Sequence, residues 1–368
     1  MSQATIPSTM SGIQLLNYGP PQPSSIYYNK DLPVPEMTRS TEALIRIKAA
    51  GVNPNETKEP SENIKIFTSC FSPLPHIIGA DFSGVIVDKG KDVKFNIGDQ
   101  VFGTQPFPFC VYGTYAQYTV VDTSEAAIAI KPKHLSFEQA ASAGMAVTTA
   151  YRGIVDNGLI VPATMRARRK IIIVGASGGV GSYSIQIAKA INPENLVIGI
   201  CSGKNAGFVK SLGADKVIDY KDKKAYDAFV DHSVKGTFDI IFNCIVGEDY
   251  HYQKLSSLLK KKDSVYSFIV GATENIDLPY FGSSFAEFSL FCTNTYRNVF
   301  ATHRYSVVNT FFCSYAIFES KIAPLFENGK IRAPIVDSDS IMPLKEAIKA
   351  QELLSTNHTV GKIVLTVD

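Results

Sequence analysis

The chain has 368 residues, which is too long for one ordinary hydrophobic core and suggests about two domains. Hydrophobic residues make up 45% and charged residues 19%, and the formal net charge is +2, so no broad electrostatic field attracts nucleic acid or an anionic membrane. No segment reaches the ~18 consecutive apolar residues of a membrane span. We therefore expect a small-molecule partner rather than nucleic acid or a membrane.

The cysteines and the first residues bear on the cellular compartment. The six cysteines form no CxxC pair and no zinc-ligand spacing, which is typical of small core residues in a reducing compartment. Residues 1–29 carry no charged side chain, whereas a transit peptide is Arg-rich and a signal peptide starts with a cationic stretch. We expect a cytoplasmic protein.

Short strand-like runs dominate the first ~145 residues. They alternate with Gly, Pro, Asn and Asp and cover residues 43–52, 82–90, 99–104 and 115–122. Such regular turn signals predict an irregular β-barrel or sandwich. Residues 136–154 then change to helical spacing, with Ser136 as the N-cap and Glu138 in the first turn.

Strands and helices alternate from about residue 170 onward. The strand-like runs are nearly continuous in apolar, β-branched residues, as expected for strands buried on both faces; they cover residues 170–175, 196–201, 216–219, 238–244 and 264–270. This alternation predicts a doubly wound parallel sheet. Helical patterns follow at residues 319–331 and 343–354, and residues 361–368 form a last strand that we expect to return to the first domain.

A glycine-rich loop follows the first strand of this sheet, with the sequence Ala-Ser-Gly-Gly-Val-Gly at residues 176–181. Because Gly178 has no side chain, backbone N–H groups can approach a pyrophosphate closely. Gly181 lets the helix pack on the strand, and the helix N-terminus carries partial positive charge. A purely structural turn is the alternative, but the strand before and the helix after favour a dinucleotide loop. The predicted cofactor contacts are Ser177, Gly178, Gly179, Val180 and Gly181.

The position of the expected acidic residue indicates which dinucleotide binds. NAD-binding loops carry Asp or Glu ~20 residues after the glycines, for the ribose hydroxyls. Here that position is Cys201, and Ser202 and Lys204, which suit a 2′-phosphate, follow it. Tyr220, at the end of the third strand, could cover the adenosine. The sequence therefore favours NADPH over NADH, with a simple exposed lysine as the alternative role for Lys204.

Several spaced motifs, in a fixed order, carry a resemblance to a known family. They include AAGVNPNE at 49–56, GADFSGVIVDKGKDVKFNIGDQVFG at 79–103, VGASGGVGSYSIQIAK at 174–189 and GKIVL at 361–365. On these motifs the chain resembles the medium-chain dehydrogenase/reductases in their zinc-free quinone oxidoreductase (zeta-crystallin-like) branch. Within that branch it looks most like the reticulon-4-interacting-protein type of NADPH oxidoreductases.

The resemblance implies an α/β protein of two domains. A GroES-like β-barrel catalytic domain would occupy residues 1–148 and be completed by a return segment at 315–368, with a Rossmann NADP-binding domain at 149–314. The family places its active site between the domains and commonly forms homodimers, which makes a homodimer one candidate assembly. Some relatives are mitochondrial, so the mitochondrion is the alternative compartment.

The resemblance also implies which residues act. Zinc enzymes of the superfamily carry Cys at the position of Asn53 and His-Glu at Ala80-Asp81, so we expect no metal site. Asn53 matches the family's Asn beside the nicotinamide and is the candidate catalytic residue, with a turn role before a proline as the alternative. Thr148 would lie near the cofactor phosphates, or else be a core threonine. Many relatives place a Tyr shortly after the Asn motif, where this chain offers Lys58.

Asp81 is expected to brace the backbone rather than to act in acid–base chemistry. The leading hypothesis is an NADPH-dependent, zinc-independent oxidoreductase that transfers hydride to a quinone or α,β-unsaturated carbonyl. The alternative is an NADPH-binding scaffold with little turnover, because fold does not fix function. A zinc alcohol dehydrogenase would require bound metal.

Overall fold

The computed structural model describes residues 5–18, 21–54, 56, 73–106, 112–158, 160, 167–233, 235–245, 250–269, 303–308 and 316–368. The chain divides into two compact units. Unit 1 comprises Met1–Thr148 with Phe311–Asp368, and unit 2 comprises Thr149–Thr310. The expected boundary between residues 314 and 315 lies outside the described residues.

Unit 1 is built mainly from β-strands. A small sheet has the order β2-β1-β4, and a larger sheet has the order β15-β16-β3-β5-β6-β8, with β7 also paired to β3. The strands are β1 Thr9–Leu15, β2 Ile26–Pro33, β3 Glu42–Gly51, β4 His76–Ile77, β5 Asp81–Lys89, β6 Gln100–Thr104, β7 Tyr118–Asp122, β8 Ala127–Ile130, β15 Ile341–Pro343 and β16 Val364–Thr366. The late strand β16 pairs antiparallel with β3, so the segment around residue 362 lies against the end of β3.

The single helix predicted over residues 136–154 is wrong in its continuity. Helix α1, Phe137–Ala141, begins with the expected Ser136 cap as part of a capping box. Helix α2, Gly144–Tyr151, follows after a break. The N–H of Met145 donates to the carboxylate of Asp81 at 2.7 Å instead of continuing the ladder of α1, and a Cβ at Gly144 would collide with that carboxylate. A tertiary contact therefore interrupts the helical pattern.

Two further helices of unit 1 lie in the described part of its late segment. They are α7 Ala323–Glu327, entered through a π-type turn, and α8 Ala347–Ser355. The aromatic ring of Phe102 in β6 packs 5.1 Å from that of Phe318 and 5.8 Å from that of Phe326, measured between ring centroids. These buried rings anchor the late segment in the core of unit 1.

The described residues of unit 2 form a parallel sheet of six strands. Its order is β11-β10-β9-β12-β13-β14, which is the doubly wound order 3-2-1-4-5-6 and confirms the predicted fold class. The strands are β9 Lys170–Val174, β10 Leu196–Cys201, β11 Lys216–Asp219, β12 Ile240–Asn243, β13 Val265–Ile269 and β14 Arg304–Val308. The helices that the structure describes here are α3 Gly179–Ile191, α4 Ala206–Ser211, α5 Lys223–His232 and α6 Tyr250–Leu255. Within the described ranges, no helix is long and apolar enough to cross a membrane.

Candidate functional site

The predicted glycine loop joins β9 to α3 at the carboxyl edge of the unit 2 sheet. The N–H groups of Gly175 and Ala176 both donate to the carbonyl of Ile200 at 3.0 Å, so the loop starts against the end of β10. Gly178 is the N-cap of α3, and no side chain caps that helix. The first N–H groups of a helix have no partner within it, so the N-terminus of α3 can bind an anion.

The glycines of the loop have different roles. A Cβ at Gly181 would collide with the carbonyl oxygen of Gly175, so only glycine lets α3 approach the strand this closely. A Cβ at Gly178 would meet only that same oxygen, at 3.5 Å, which is ordinary van der Waals contact. Gly178 has φ of −77°, which any residue adopts. Packing therefore does not require glycine at 178, and the space beside its α-carbon is available to a ligand.

The loop is tied to the next strand by a residue that the sequence analysis missed. The side-chain amide of Asn205 donates to Ser177 Oγ at 3.1 Å. Asn205 ends a short 3₁₀ turn, Gly203–Asn205, that follows β10 directly. This bond fixes the Ser177 hydroxyl at the loop and leaves it able to donate a hydrogen bond of its own. Only its position beside Ser202 and Lys204, in the sequence Cys-Ser-Gly-Lys-Asn at residues 201–205, could have indicated it.

The predicted 2′-phosphate residues lie on neighbouring strand ends. Ser202 caps the same 3₁₀ turn, and Lys204 within the turn is exposed. The parallel pairing of Cys201 with Asp219 brings the end of β11 beside them, and Tyr220 is 40% exposed there. The structure therefore brings the loop, Ser202, Lys204 and Tyr220 together at one edge of the sheet.

An acidic residue also lies at this edge, although the spacing rule found none. A Cβ at Gly203 would collide with Asp219 Oδ2, so the carboxylate packs directly against the 3₁₀ turn. Burial, with a smaller contribution from the negative charge of Asp219, raises the pKa of Cys201 to about 11. The thiol therefore stays neutral at physiological pH. The search ~20 residues after the loop missed Asp219 because it ends the third strand rather than the second.

In unit 1, the side chain of Asn53 is held at both ends. It is only 3% exposed. Its Oδ1 accepts from Lys362 Nζ at 2.8 Å, and its Nδ2 donates to Glu56 Oε1 at 3.2 Å. Its backbone N–H also donates to Glu56 Oε2, at 3.1 Å. Because a cation faces one end and an acceptor the other, the orientation of the amide is defined.

Glu56 is the centre of a buried polar network. Besides Asn53, its Oε2 accepts from Gln351 Nε2 at 3.0 Å and from the hydroxyl of Tyr115. Burial raises the pKa of Glu56 to about 7. The hydrogen bonds from Tyr115 and Asn53 lower this pKa. The negative charge of Asp81 raises it, and the positive charge of Lys362 lowers it. Burial also raises the pKa of Tyr115, and the negative charge of Glu56 raises it further.

Asp81 and Lys362 complete this network. Asp81 is fully buried; its Oδ1 accepts the N–H of Met145, and its Oδ2 lies 3.4 Å from Lys362 Nζ. Asp81 therefore braces the start of α2 and pairs with the ammonium. The sequence could not reveal the network, because its members come from five separate segments that the sheet pairing and the packing of α8 bring together.

The structure places Thr148 in α2, in unit 1. It is buried, and its hydroxyl donates to the carbonyl of Gly144 at 3.0 Å. Its oxygen can still accept a hydrogen bond, and its contact with cofactor phosphates stays a prediction. Lys58 lies outside the described residues. Among the side chains that are described, no cluster of three or more His, Cys, Asp and Glu could hold a metal ion.

Comparisons with known proteins connect these features to a family. Residues 39–132 match the alcohol dehydrogenase GroES-like domain, and residues 212–365 match the zinc-binding dehydrogenase family. The NAD(P)H oxidoreductase RTN4IP1, mitochondrial, of Drosophila melanogaster is 30% identical over 99% of this chain and 89% of that protein. The chain belongs to the medium-chain dehydrogenase/reductase superfamily, in its quinone oxidoreductase-like branch.

Other members of the superfamily also match nearly the whole of this chain. The NADPH-dependent alkenal/one oxidoreductase, chloroplastic, of Arabidopsis thaliana is 29% identical over 99% of this chain and 81% of that protein. The solved structure of the quinone oxidoreductase from Coxiella burnetii is 27% identical and matches with a TM-score of 0.73 over 98% of this chain and 99% of that one. The resemblance inferred from the motifs and the predicted GroES-like and Rossmann architecture are thereby confirmed.

Proposed function

We propose that this chain is an NADPH-dependent, zinc-independent reductase that delivers a hydride to a quinone or an α,β-unsaturated carbonyl compound. The observation that carries the proposal is the sheet edge of unit 2, where the uncapped start of α3 lies beside the ends of β10 and β11. The names of the relatives, a quinone oxidoreductase and an NADPH-dependent alkenal/one oxidoreductase, support the reaction class.

The residues at this edge fit the parts of NADPH. The diphosphate would bind at Ser177 and the backbone of residues 178–181, where the helix N-terminus offers unpaired N–H groups. Ser202 and Lys204 would bind the 2′-phosphate, and Tyr220 would cover the adenosine. When bound, the cofactor supplies the hydride.

The substrate needs a hydrogen-bond donor at its oxygen. In a conjugated carbonyl the negative charge that forms during reduction moves to this oxygen, and donors fixed in advance stabilise it. Asn53 is the candidate, since its Nδ2 has two hydrogens and Glu56 accepts only one. The sequence carries Asn53 and Ala80 where zinc enzymes carry Cys and His, which supports a reaction without a metal.

Two alternatives have specific observations in their favour. Asp219 at the same sheet edge would suit the ribose hydroxyls of NADH and oppose a 2′-phosphate, whereas Lys204 would attract that phosphate. The NADPH-binding scaffold is favoured by the near-complete burial of Asn53 and by the engagement of both ends of its amide.

The test is NADPH oxidation at 340 nm with a panel of quinones and 2-alkenals, with NADH in parallel and fluorescence titration of both cofactors. A matched pair of variants, Lys204→Ala and Lys210→Ala, separates a 2′-phosphate contact from general loss of positive charge, because Lys210 lies on α4 nearby and is also exposed. We expect Lys204→Ala alone to weaken NADPH binding, by about tenfold or ~1.4 kcal/mol, and to leave NADH binding unchanged.

The outcomes of this test discriminate the hypotheses. Turnover with NADPH preferred supports the reductase. Tight NADPH binding without turnover of any acceptor would favour the scaffold, and a preference for NADH would assign the acidic residue at the sheet edge to the ribose. No binding of either cofactor at micromolar concentration would refute the proposal.

The assembly state and the compartment stay predictions. The candidate homodimer is tested by sedimentation equilibrium of the purified chain. The expected cytoplasmic location competes with an organelle, since the relatives from Drosophila and Arabidopsis are named mitochondrial and chloroplastic. Fluorescence microscopy of a tagged full-length protein tests it.

A further inference from the structure

Lys362 carries a buried ammonium group whose donors are all used. The residue is 5% exposed, and its Nζ donates to the carbonyl of Val52 at 2.7 Å, to Asn53 Oδ1 at 2.8 Å and to Asp81 Oδ2 at 3.4 Å. An ammonium has three donors, so each one has an acceptor. A buried charge requires such pairing to be tolerated.

The ammonium acts on one end of an amide whose other end faces an acceptor. If the Asn53 amide were flipped, Nδ2 would face the ammonium, and Oδ1 would face Glu56 Oε1. While Glu56 is ionised, both of these contacts would be repulsive. When Glu56 is protonated, the hydrogen bond between the Lys362 ammonium and the amide oxygen of Asn53 would still be lost. Lys362 and Glu56 together therefore hold a single amide orientation, and among the described residues the second Nδ2 hydrogen has no acceptor.

A cation on the amide oxygen also changes the strength of that remaining donor. Charge-assisted hydrogen bonds are stronger than neutral ones, and hydrogen bonds in series polarise one another in a low-dielectric interior. Positive charge at Oδ1 draws electron density from the amide nitrogen, so the free N–H of Asn53 becomes a better donor.

We propose that Lys362 is a positioning residue of the reductase, which orients and polarises the Asn53 amide so that its free N–H can stabilise the substrate oxygen during hydride transfer. This inference rests on the proposed function. It adds a residue from the segment before β16, far from Asn53 in the sequence, to the machinery of the reaction.

The chain offers a matched control for a purely structural role. Lys131 is also 5% exposed, but its Nζ donates only to backbone carbonyls, those of Pro132 at 3.1 Å and Leu135 at 2.6 Å, and it lies over the ring of Phe137. Lys131→Met therefore removes an equally buried ammonium from unit 1 without touching Asn53.

The kinetic test compares Lys362→Met, Lys131→Met, Asn53→Ala and the double variant of residues 362 and 53, with an enone or quinone that the wild type reduces. We expect Lys362→Met to lower kcat by about tenfold, less than the ~10²-fold that loss of an oxyanion donor itself causes. The NADPH dissociation constant should change less than about twofold, and Lys131→Met should keep kcat within about twofold of the wild type.

The double variant should be no slower than Asn53→Ala alone, because Lys362 acts through that amide. A kcat of Lys362→Met equal to that of the wild type would overturn the inference, and so would independent, multiplied losses in the double variant. If Lys362→Met does not fold, Lys362→Arg and Lys362→Gln replace it. Both can donate to Oδ1, but only Arg is charged, so equal kcat values for the two would overturn the polarising role.

A second readout separates this inference from the proposed function. In protein labelled with ¹⁵N-asparagine, the Nδ2 resonance of Asn53 is identified by its absence in Asn53→Ala. Its protons should move upfield in Lys362→Met and stay in place in Lys131→Met. An unchanged resonance in Lys362→Met would overturn the inference even if the wild type reduced its substrate. A shifted resonance in a chain that reduces no substrate would count against the proposed reductase and not against the contact between Lys362 and Asn53.

Discussion

Replacing Glu56 by Gln should flatten the dependence of stability on pH. The folded-state pKa of this buried carboxyl is about 7 and its ordinary value is 4.5. Because the folded state holds the proton more tightly, the stabilisation is complete below the unfolded pKa of 4.5 and is lost as pH rises through 7. The difference between the two pKa values corresponds to about 3 kcal/mol of stabilisation of the folded state. Roughly 2 to 3 kcal/mol of this is lost between pH 5 and pH 8.

The Gln variant removes this titration. It also gives up the hydrogen bond from Asn53 Nδ2 to Glu56 Oε1, because an amide nitrogen there would face another donor. That loss is the same at both pH values, so it cancels when the two slopes are compared. The free energy of unfolding of the wild type should therefore fall between pH 5 and pH 8 by about 2 to 3 kcal/mol more than that of Glu56→Gln.

The assay must report on unit 1 alone, since a chain of two units need not unfold in one step. The chain contains no Trp, so we would follow hydrogen exchange of the β3 and β5 amides in urea at the two pH values. Glu352→Gln makes the same chemical change on an exposed side chain of α8 and serves as the control. Equal slopes for the wild type and Glu56→Gln would show that the carboxyl is ionised throughout and would refute the reasoning.

Four further substitutions test the packing and the loop. Gly178→Ala should fold normally and weaken NADPH binding by about tenfold, which cofactor titration measures. Gly181→Ala should lower the temperature at which unit 2 unfolds, because its Cβ, unlike that of residue 178, collides with the loop backbone; calorimetry measures this. Asp81→Asn leaves the ammonium of Lys362 without its carboxylate and should lower the urea stability of unit 1 by about 3 kcal/mol, and an unchanged midpoint would contradict the pairing. Phe318→Ala should lower it by about 3 to 5 kcal/mol through the cavity left in the core, measured in the same way.

The parallel sheet and its glycine loop could be predicted because their signals are local. Continuous apolar runs indicate strands buried on both faces, and β9 to β13 were found at these runs. The loop needs a strand, three glycines and a helix in immediate succession. Strand β14, Arg304–Val308, was not predicted, because its short, polar-interrupted sequence lacks that pattern.

Long-range contacts account for what the sequence did not reveal. The break between α1 and α2 depends on the carboxylate of Asp81, which comes from β5. The partners of Asn53 and Glu56 at Tyr115, Gln351 and Lys362 follow no spacing rule, because the register of β16 against β3 and the packing of α8 help to bring them together. The predicted contacts of Asn53, Thr148 and the loop residues with cofactor or substrate stay predictions.

The pairing of β16 with β3 has a consequence for biosynthesis. The strand that borders β3 on one side is made only after the whole of unit 2 has been synthesised, a delay on the order of ten seconds at ~5–20 residues per second. During this interval unit 2 can fold, while Ala49–Gly51, the end of β3 that pairs with β16 and not with β7, presents an unpaired edge that could recruit another nascent chain. The ammonium that binds Asn53 arrives in the same late segment. The sheet of unit 2 can therefore be complete before that of unit 1, and the translation time of unit 2 is the period in which this edge of nascent unit 1 is open to aggregation.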